Sequence, residues 1–287
     1  MEISFDNDGR LCRNSYLFEY KGVRFRLIQN GSRKYAYHLL SILPTGNASE
    51  REDTFSIASE LISALGWAHK ARTSLRECGG RSWPDKWPLS KARARVNTFR
   101  TLPFEGQHMG YNINQIPKIE TEEQRIALTL YREASASNND YLSFLFFWQI
   151  MEIAGTNAEG FVNKTHRKKP KMLAFRSQDI KSLPLEGRTL GEYLRDECRD
   201  AIAHIRRKPG KKKLDLDRIH DRAKITTSTR VVKAFSEYYI REALKLQKRL
   251  YLMRKGARGF PTFVDDELIA QHQYEPAYRS KPIAIKL

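Results

Sequence analysis

Three ionisable residues stand together in the stretch Thr189–Pro209 (TLGEYLRDECRDAIAHIRRKP): Arg199, Asp200 and His204. Asp200 and His204 are four apart, so on a helix their side chains share a face. A carboxylate there can accept one imidazole N–H, fixing the tautomer and leaving the other ring nitrogen for proton transfer. Arg199 offers a planar, permanently charged guanidinium, suited to charge developing on a phosphorane. Such a set matches metal-free cleavage of RNA. That reaction needs a base for the 2′-OH, an acid for the departing 5′-oxygen and charge stabilisation at phosphorus. On a straight helix Arg199 lies about 140° around from His204 by the 3.6-residue period, so one helix does not present both side by side.

The surrounding pattern predicts that helix. Thr189 followed by Glu192 is a capping box, and Leu190, Tyr193, Leu194, Ala201, Ile202 and Ile205 form an apolar stripe. Arg206, Arg207 and Lys208 suit the negative end of the helix dipole, and Pro209-Gly210 stops it. Two helices are expected upstream. Thr121-Glu122-Glu123-Gln124 opens one to about Ala136, with Ile126, Leu130, Tyr131 and Ala134 inward. Tyr141–Ala154 is apolar all round and is expected at the bundle centre, too short to span a bilayer. Glu152 is the exception on it, expected to pair with a basic residue or to line a cleft. A long amphipathic helix is predicted over Thr227–Arg254, with Val231, Phe235, Tyr239, Leu246 and Leu250 inward. A tail bearing Phe260, Phe263, Tyr274 and Tyr278 is expected to wrap the domain.

The spacing Arg199-Asp200-(three residues)-His204 resembles the signature of the HEPN superfamily, small helical-bundle domains many of which are RNases. The resemblance covers roughly Thr121 to Gly256. A leading domain followed by this bundle also resembles, more loosely, the proteins described as MauJ-like or abortive-infection HEPN. The HEPN resemblance implies a homodimer whose composite cleft takes the motif from each subunit, and products bearing 2′,3′-cyclic phosphate. It implies Arg199, Asp200 and His204 as the catalytic set. It also suggests a toxin-like or antiviral setting.

Charge points the same way. The chain of 287 residues carries a net +18, and residues Ala158 to Phe260 hold 28 Lys/Arg against 12 Asp/Glu. Such concentration favours a polyanionic partner, of which nucleic acid is the commonest. The stretch Lys164–Lys171, expected as a basic loop, offers Lys168, Lys169 and Lys171. Lys211, Lys212 and Lys213 follow the motif, and with Arg206 and Arg207 they complete the residues expected to grip RNA phosphates without reading sequence. Cys12, Cys78 and Cys198 lack the pairing of a disulfide framework or zinc site, and no histidine has companions at metal-ligand spacing. No metal or cofactor is expected. No run approaches the ~20 apolar residues of a membrane span, and the acidic start MEISFDNDGR is not a secretory signal, so the cytoplasm is the expected compartment.

The first part of the chain reads differently. Tyr16–Ile28 and Tyr35–Leu43 are rich in aromatic and β-branched residues, with a turn expected at Asn30-Gly31. Thr54–Ala71 switches to a helical period, with Phe55, Ala58, Leu61, Ile62 and Leu65 on one face. Trp83 and Trp87 are expected to pack a loop, Val96–Phe104 to return as a strand, and Glu105–Pro117 to serve as connector. The fold class is therefore α+β. An N-terminal mixed strand/helix domain (1–115), expected to be sensing or regulatory and to receive any activating ligand or partner, precedes a HEPN-like antiparallel helical bundle with a tail (116–287). The function expected is metal-independent endoribonuclease. The alternatives are a non-catalytic RNA- or protein-binding module, or an accessory factor of a metabolic operon.

Overall fold

The computed structural model describes residues 2–7, 15–29, 36–41, 48–69, 73–79, 115–169, 174–203, 218–246, 250–255 and 261–265. The segments expected at Trp83, Trp87 and Val96–Phe104, and the last part of the tail, lie outside the described residues.

Strands β1 (Glu2–Asn7), β2 (Ser15–Tyr20), β3 (Val23–Gln29), β4 (Ala36–Ser41) and β5 (Thr73–Gly79) come from the first part of the chain. They build one sheet with β6 (Gln115–Pro117), β7 (Leu250–Lys255) and β8 (Pro261–Asp265), in the order β5-β1-β4-β3-β2-β8-β7-β6. Within the run Tyr16–Ile28, Tyr20 pairs with Val23 across a two-residue turn. Lys21 and Gly22 there have φ of +48° and +76°. Both central residues on the left-handed side is the turn that matches strand twist, which glycine tolerates without cost. Phe18, Tyr20, Phe25 and Leu27 are buried from this hairpin. The Tyr20 hydroxyl donates to Glu60 of α1 (Ala48–His69), where Ala58, Leu61, Ile62 and Leu65 are buried and Phe55 is exposed.

The segment 122–243 forms a helical bundle. Helix α2 (Glu122–Ala136) begins with the expected box: Thr121 Oγ1 accepts the Gln124 N–H, and Gln124 Oε1 accepts the Thr121 N–H. Ile126 is exposed, while Leu128, Tyr131 and Ala134 are buried. Helix α3 (Asp140–Glu152) is the centre expected of it, burying Phe144, Phe147, Trp148, Ile150 and Met151. Each such side chain contributes about 1.5–3 kcal/mol on leaving water. Next come α4 (Ala158–Lys168), the short α5 (Ser177–Lys181), and the motif segment. That segment runs as α6 (Leu190–Tyr193), a π-helical turn (Leu194–Arg199) and α7 (Asp200–Ala203). Helix α8 (Ile219–Tyr238) runs into a second π-turn, Tyr239–Ala243.

Four expectations need correction. First, the bundle is not uniformly antiparallel. Thr226 Oγ1 and Thr229 Oγ1 donate to Asp140, while the Tyr239 hydroxyl donates to the Ile153 carbonyl, so α3 and α8 run parallel. α2 runs against both: Ser143 near the start of α3 donates to the Ala134 carbonyl near the end of α2, and Gln124 at the start of α2 donates to the Leu244 carbonyl beyond the end of α8. Second, Lys164–Lys168 is the last turn of α4 and not a loop. Third, the predicted helix Thr227–Arg254 stops early, and Leu250 stands in β7. Lys245, at φ +56°, takes the left-handed conformation that ends it. Fourth, Phe263 belongs to β8, which pairs with β7 and lies parallel to β2, so the tail completes the sheet. The division at 115/116 also falls within β6. The C-terminal strands tie the two ends of the chain into one sheet.

Candidate active site at the motif helix

The motif helix is fixed at its start by a second capping box, in which Thr189 and Glu192 satisfy each other's backbone N–H groups. Gly191 then lets the helix press against α4. Its N–H donates to Asn163 Oδ1 at 2.8 Å, and a Cβ there would stand 2.6 Å from the Glu159 carbonyl oxygen. Arg195 pairs with Glu159 one turn further on. These contacts make α4 antiparallel to the motif helix. Lys168 and Lys169, both exposed, therefore sit at its Thr189 end, about 13 Å along the axis from Glu159 by the helical rise.

The π-turn ends at Arg199. The Asp200 N–H bonds the Arg195 carbonyl, five residues back, so one extra residue is inserted before the motif carboxylate. Such single π-turns recur at functional sites. Arg199 Nη1 donates to Asp200 Oδ1 at 3.0 Å, and its Nη2 stands 3.9 Å from Glu152 Oε1 on α3. Arg199, Asp200 and Glu152 are 34%, 38% and 39% exposed, which leaves the guanidinium reachable from solvent. Glu152 thus pairs with a basic residue and borders an open face. His204 lies outside the described residues, as do Lys171, Arg206, Arg207, Lys211, Lys212 and Lys213. Of the expected catalytic set the structure brings together Arg199 and Asp200.

Two residues earlier the helix does something else. Glu197 accepts from Arg188 Nη1 at 2.9 Å and from Lys224 Nζ of α8 at 3.1 Å. Both cations lie over the Tyr193 ring, 5.5 Å and 5.3 Å from its centre. The Glu197 carboxylate raises the Arg188 pKa further, and burial raises that of the fully enclosed Tyr193 hydroxyl. Glu197 serves this second cluster, and Asp196 pairs with Arg195. Sequence reasoning missed Trp148 as part of the site. Its indole N–H donates to Glu152 Oε1 at 2.8 Å, and the i, i+4 spacing on an apolar helix is the signal that could have found it.

Among the described residues no group of three or more His, Cys, Asp and Glu is placed to hold a metal ion, and no helix is long and apolar enough to cross a membrane. Cys198 is buried, its Sγ 3.4 Å from Ser228 Oγ.

A family model described as methylamine utilization protein MauJ matches residues 127–241. The match begins within α2, ends in the second π-turn and contains the whole motif segment, while the sheet lies outside it. No curated protein and no solved structure matches the chain.

Proposed function

We propose that the chain is a metal-independent endoribonuclease of HEPN type, working as a homodimer. The observation that carries this reading is the half-exposed Arg199 guanidinium, held beside Asp200 at a π-turn on the bundle surface, five residues before His204. In this reading His204 transfers the proton, Asp200 orients the imidazole, and Arg199 stabilises the phosphorane. The lysines and arginines after the motif, with Lys168, Lys169 and Lys171, supply a salt-dependent grip on phosphate. The family match favours a second reading, an accessory factor in methylamine utilisation that needs no RNA cleavage.

One experiment separates them. Wild-type protein and the His204→Ala variant are incubated with end-labelled RNA in excess EDTA. Cleavage by the wild type to 2′,3′-cyclic phosphate ends, lost in the variant, supports the nuclease. Intact RNA with both proteins at micromolar concentration overturns it in favour of the accessory role.

A further inference from the structure

Three irregular pieces of backbone converge where α3 ends. Arg199 closes the first π-turn, Tyr239 opens the second, and between them Ala154 and Gly155 take φ of +61° and +71°. Ala154 is an L-residue in the left-handed region, a strained state that persists only where its surroundings impose it. The imposing contact is visible. The buried Tyr239 hydroxyl lies 2.9 Å from both the Ile153 carbonyl oxygen and Thr156 Oγ1, clamping the turn on either side of Ala154. Glu152 is the last residue of α3 before this clamp.

Glu152 is held from its other side as well. The donor from Trp148, itself 2% exposed, takes Oε1, the same oxygen that faces Arg199 Nη2. We propose that Glu152 is a positioning residue for Arg199. Asp200 neighbours Arg199 in the chain and moves with it, so it cannot fix the guanidinium against the rest of the bundle. Glu152 belongs to a different helix and can. With Nη1 hydrogen-bonded to Asp200 and Nη2 in a 3.9 Å ion pair with Glu152, the guanidinium lies between a carboxylate of α7 and one of α3. Its remaining N–H donors have no protein acceptor among the described residues, and the side chain is a third exposed. An arginine long enough to adopt many rotamers is thereby presented in one, the preorganisation that transition-state charge stabilisation requires.

The catalytic consequence rests on the nuclease reading; the contact itself does not. Glu152→Gln keeps an oxygen to accept the Trp148 N–H, so a purely structural role survives it, while the charge that orients Arg199 is gone. Trp148→Phe removes the donor and frees the carboxylate, a second route to the same loss should the first variant fold poorly. The Arg199 Nε–H signal in a 15N–1H spectrum, assigned by its absence in Arg199→Lys, should be sharp in the wild type. In Glu152→Gln it should shift and broaden. In steady-state RNA cleavage, kcat should fall about 10- to 100-fold with KM within a factor of two. An Arg199 signal unchanged by Glu152→Gln overturns the proposal, and so does an unchanged kcat in a wild type that cuts. Where the wild type cuts no RNA, the nuclease reading alone falls, and the Arg199 signal still decides the role of Glu152.

Discussion

Two charged clusters on one helix, centred two residues apart, have opposite character. Around Glu197 two cations share one carboxylate over an aromatic floor, and Arg188, Lys224 and Glu197 are each about a quarter exposed or less. Around Arg199 two carboxylates share one cation, and all three are more than a third exposed. The first faces Lys224 on α8 and the second faces Glu152 on α3. The residue types are the same, so packing makes the difference. Tyr193 and α8 close the first cluster and commit its charges to one another. Nothing described covers the second, and its guanidinium keeps donors for something else. One cluster holds the helix in place, and the other is what the helix displays.

The comparison breaks most sharply if the two centres respond alike to substitution. Arg199→Ala should lower RNA cleavage about 100- to 1000-fold, as removal of one preorganised donor does. Its unfolding midpoint in urea should barely move, because an open ion pair contributes little to stability. Glu197→Gln should do the reverse. It removes the charge that two half-buried cations share and replaces one acceptor oxygen with an NH2 group, and should cost about 2 kcal/mol in urea unfolding, with cleavage per folded molecule at the wild-type level. A Glu197 variant that folds normally and cuts poorly would erase the distinction between the two clusters.

Alkaline titration sharpens the closed cluster. Burial is the main cause that raises the Tyr193 pKa, with Cys198 and Glu197 adding to it. The folded state thus holds this proton more tightly than the unfolded chain, whose tyrosines ionise near pH ~10. Below that pH the hydroxyl makes no pH-dependent difference; above it stability falls as pH rises, because the unfolded state ionises first. Tyr131, also raised by burial and by Glu237, adds to the same decline. Tyr193→Phe should flatten the loss of unfolding free energy between pH 9.5 and 11 by circular dichroism, and leave the pH 7 to 9 range level. The smallest effect is expected at the helix start, which serves both clusters alike. Thr189→Ala removes one cap and should cost about 1 kcal/mol in thermal unfolding without separating them.

Much of the bundle was legible because its signals are local. Both capping boxes formed where threonine and a glutamate or glutamine stand three apart, since that geometry involves only one turn of chain. The apolar run Tyr141–Ala154 could only be central, and Trp148, Phe144 and Met151 are buried there. The hairpin turn at Lys21-Gly22 was hidden because strand pattern continues on both sides, and the glycine alone marked it. The end of α8 was hidden for a related reason: Leu246 and Leu250 keep a helical period although Leu250 is in a strand.

The candidate site divides along the same line. Sequence by itself determined which groups the motif carries, that Arg199 and Asp200 share a helix, that its start is capped, and that positive charge crowds the chain around it. Those properties follow from residue identity and from interactions a few positions apart. Only the tertiary structure decided that Glu197 turns to Lys224, that Arg199 meets Glu152, that α3 runs parallel to α8, and that the C-terminal strands complete the N-terminal sheet. Each of these joins residues that are distant along the chain. Such pairings depend on how whole helices and strands bury their apolar faces against one another, and a short window of sequence holds no record of that.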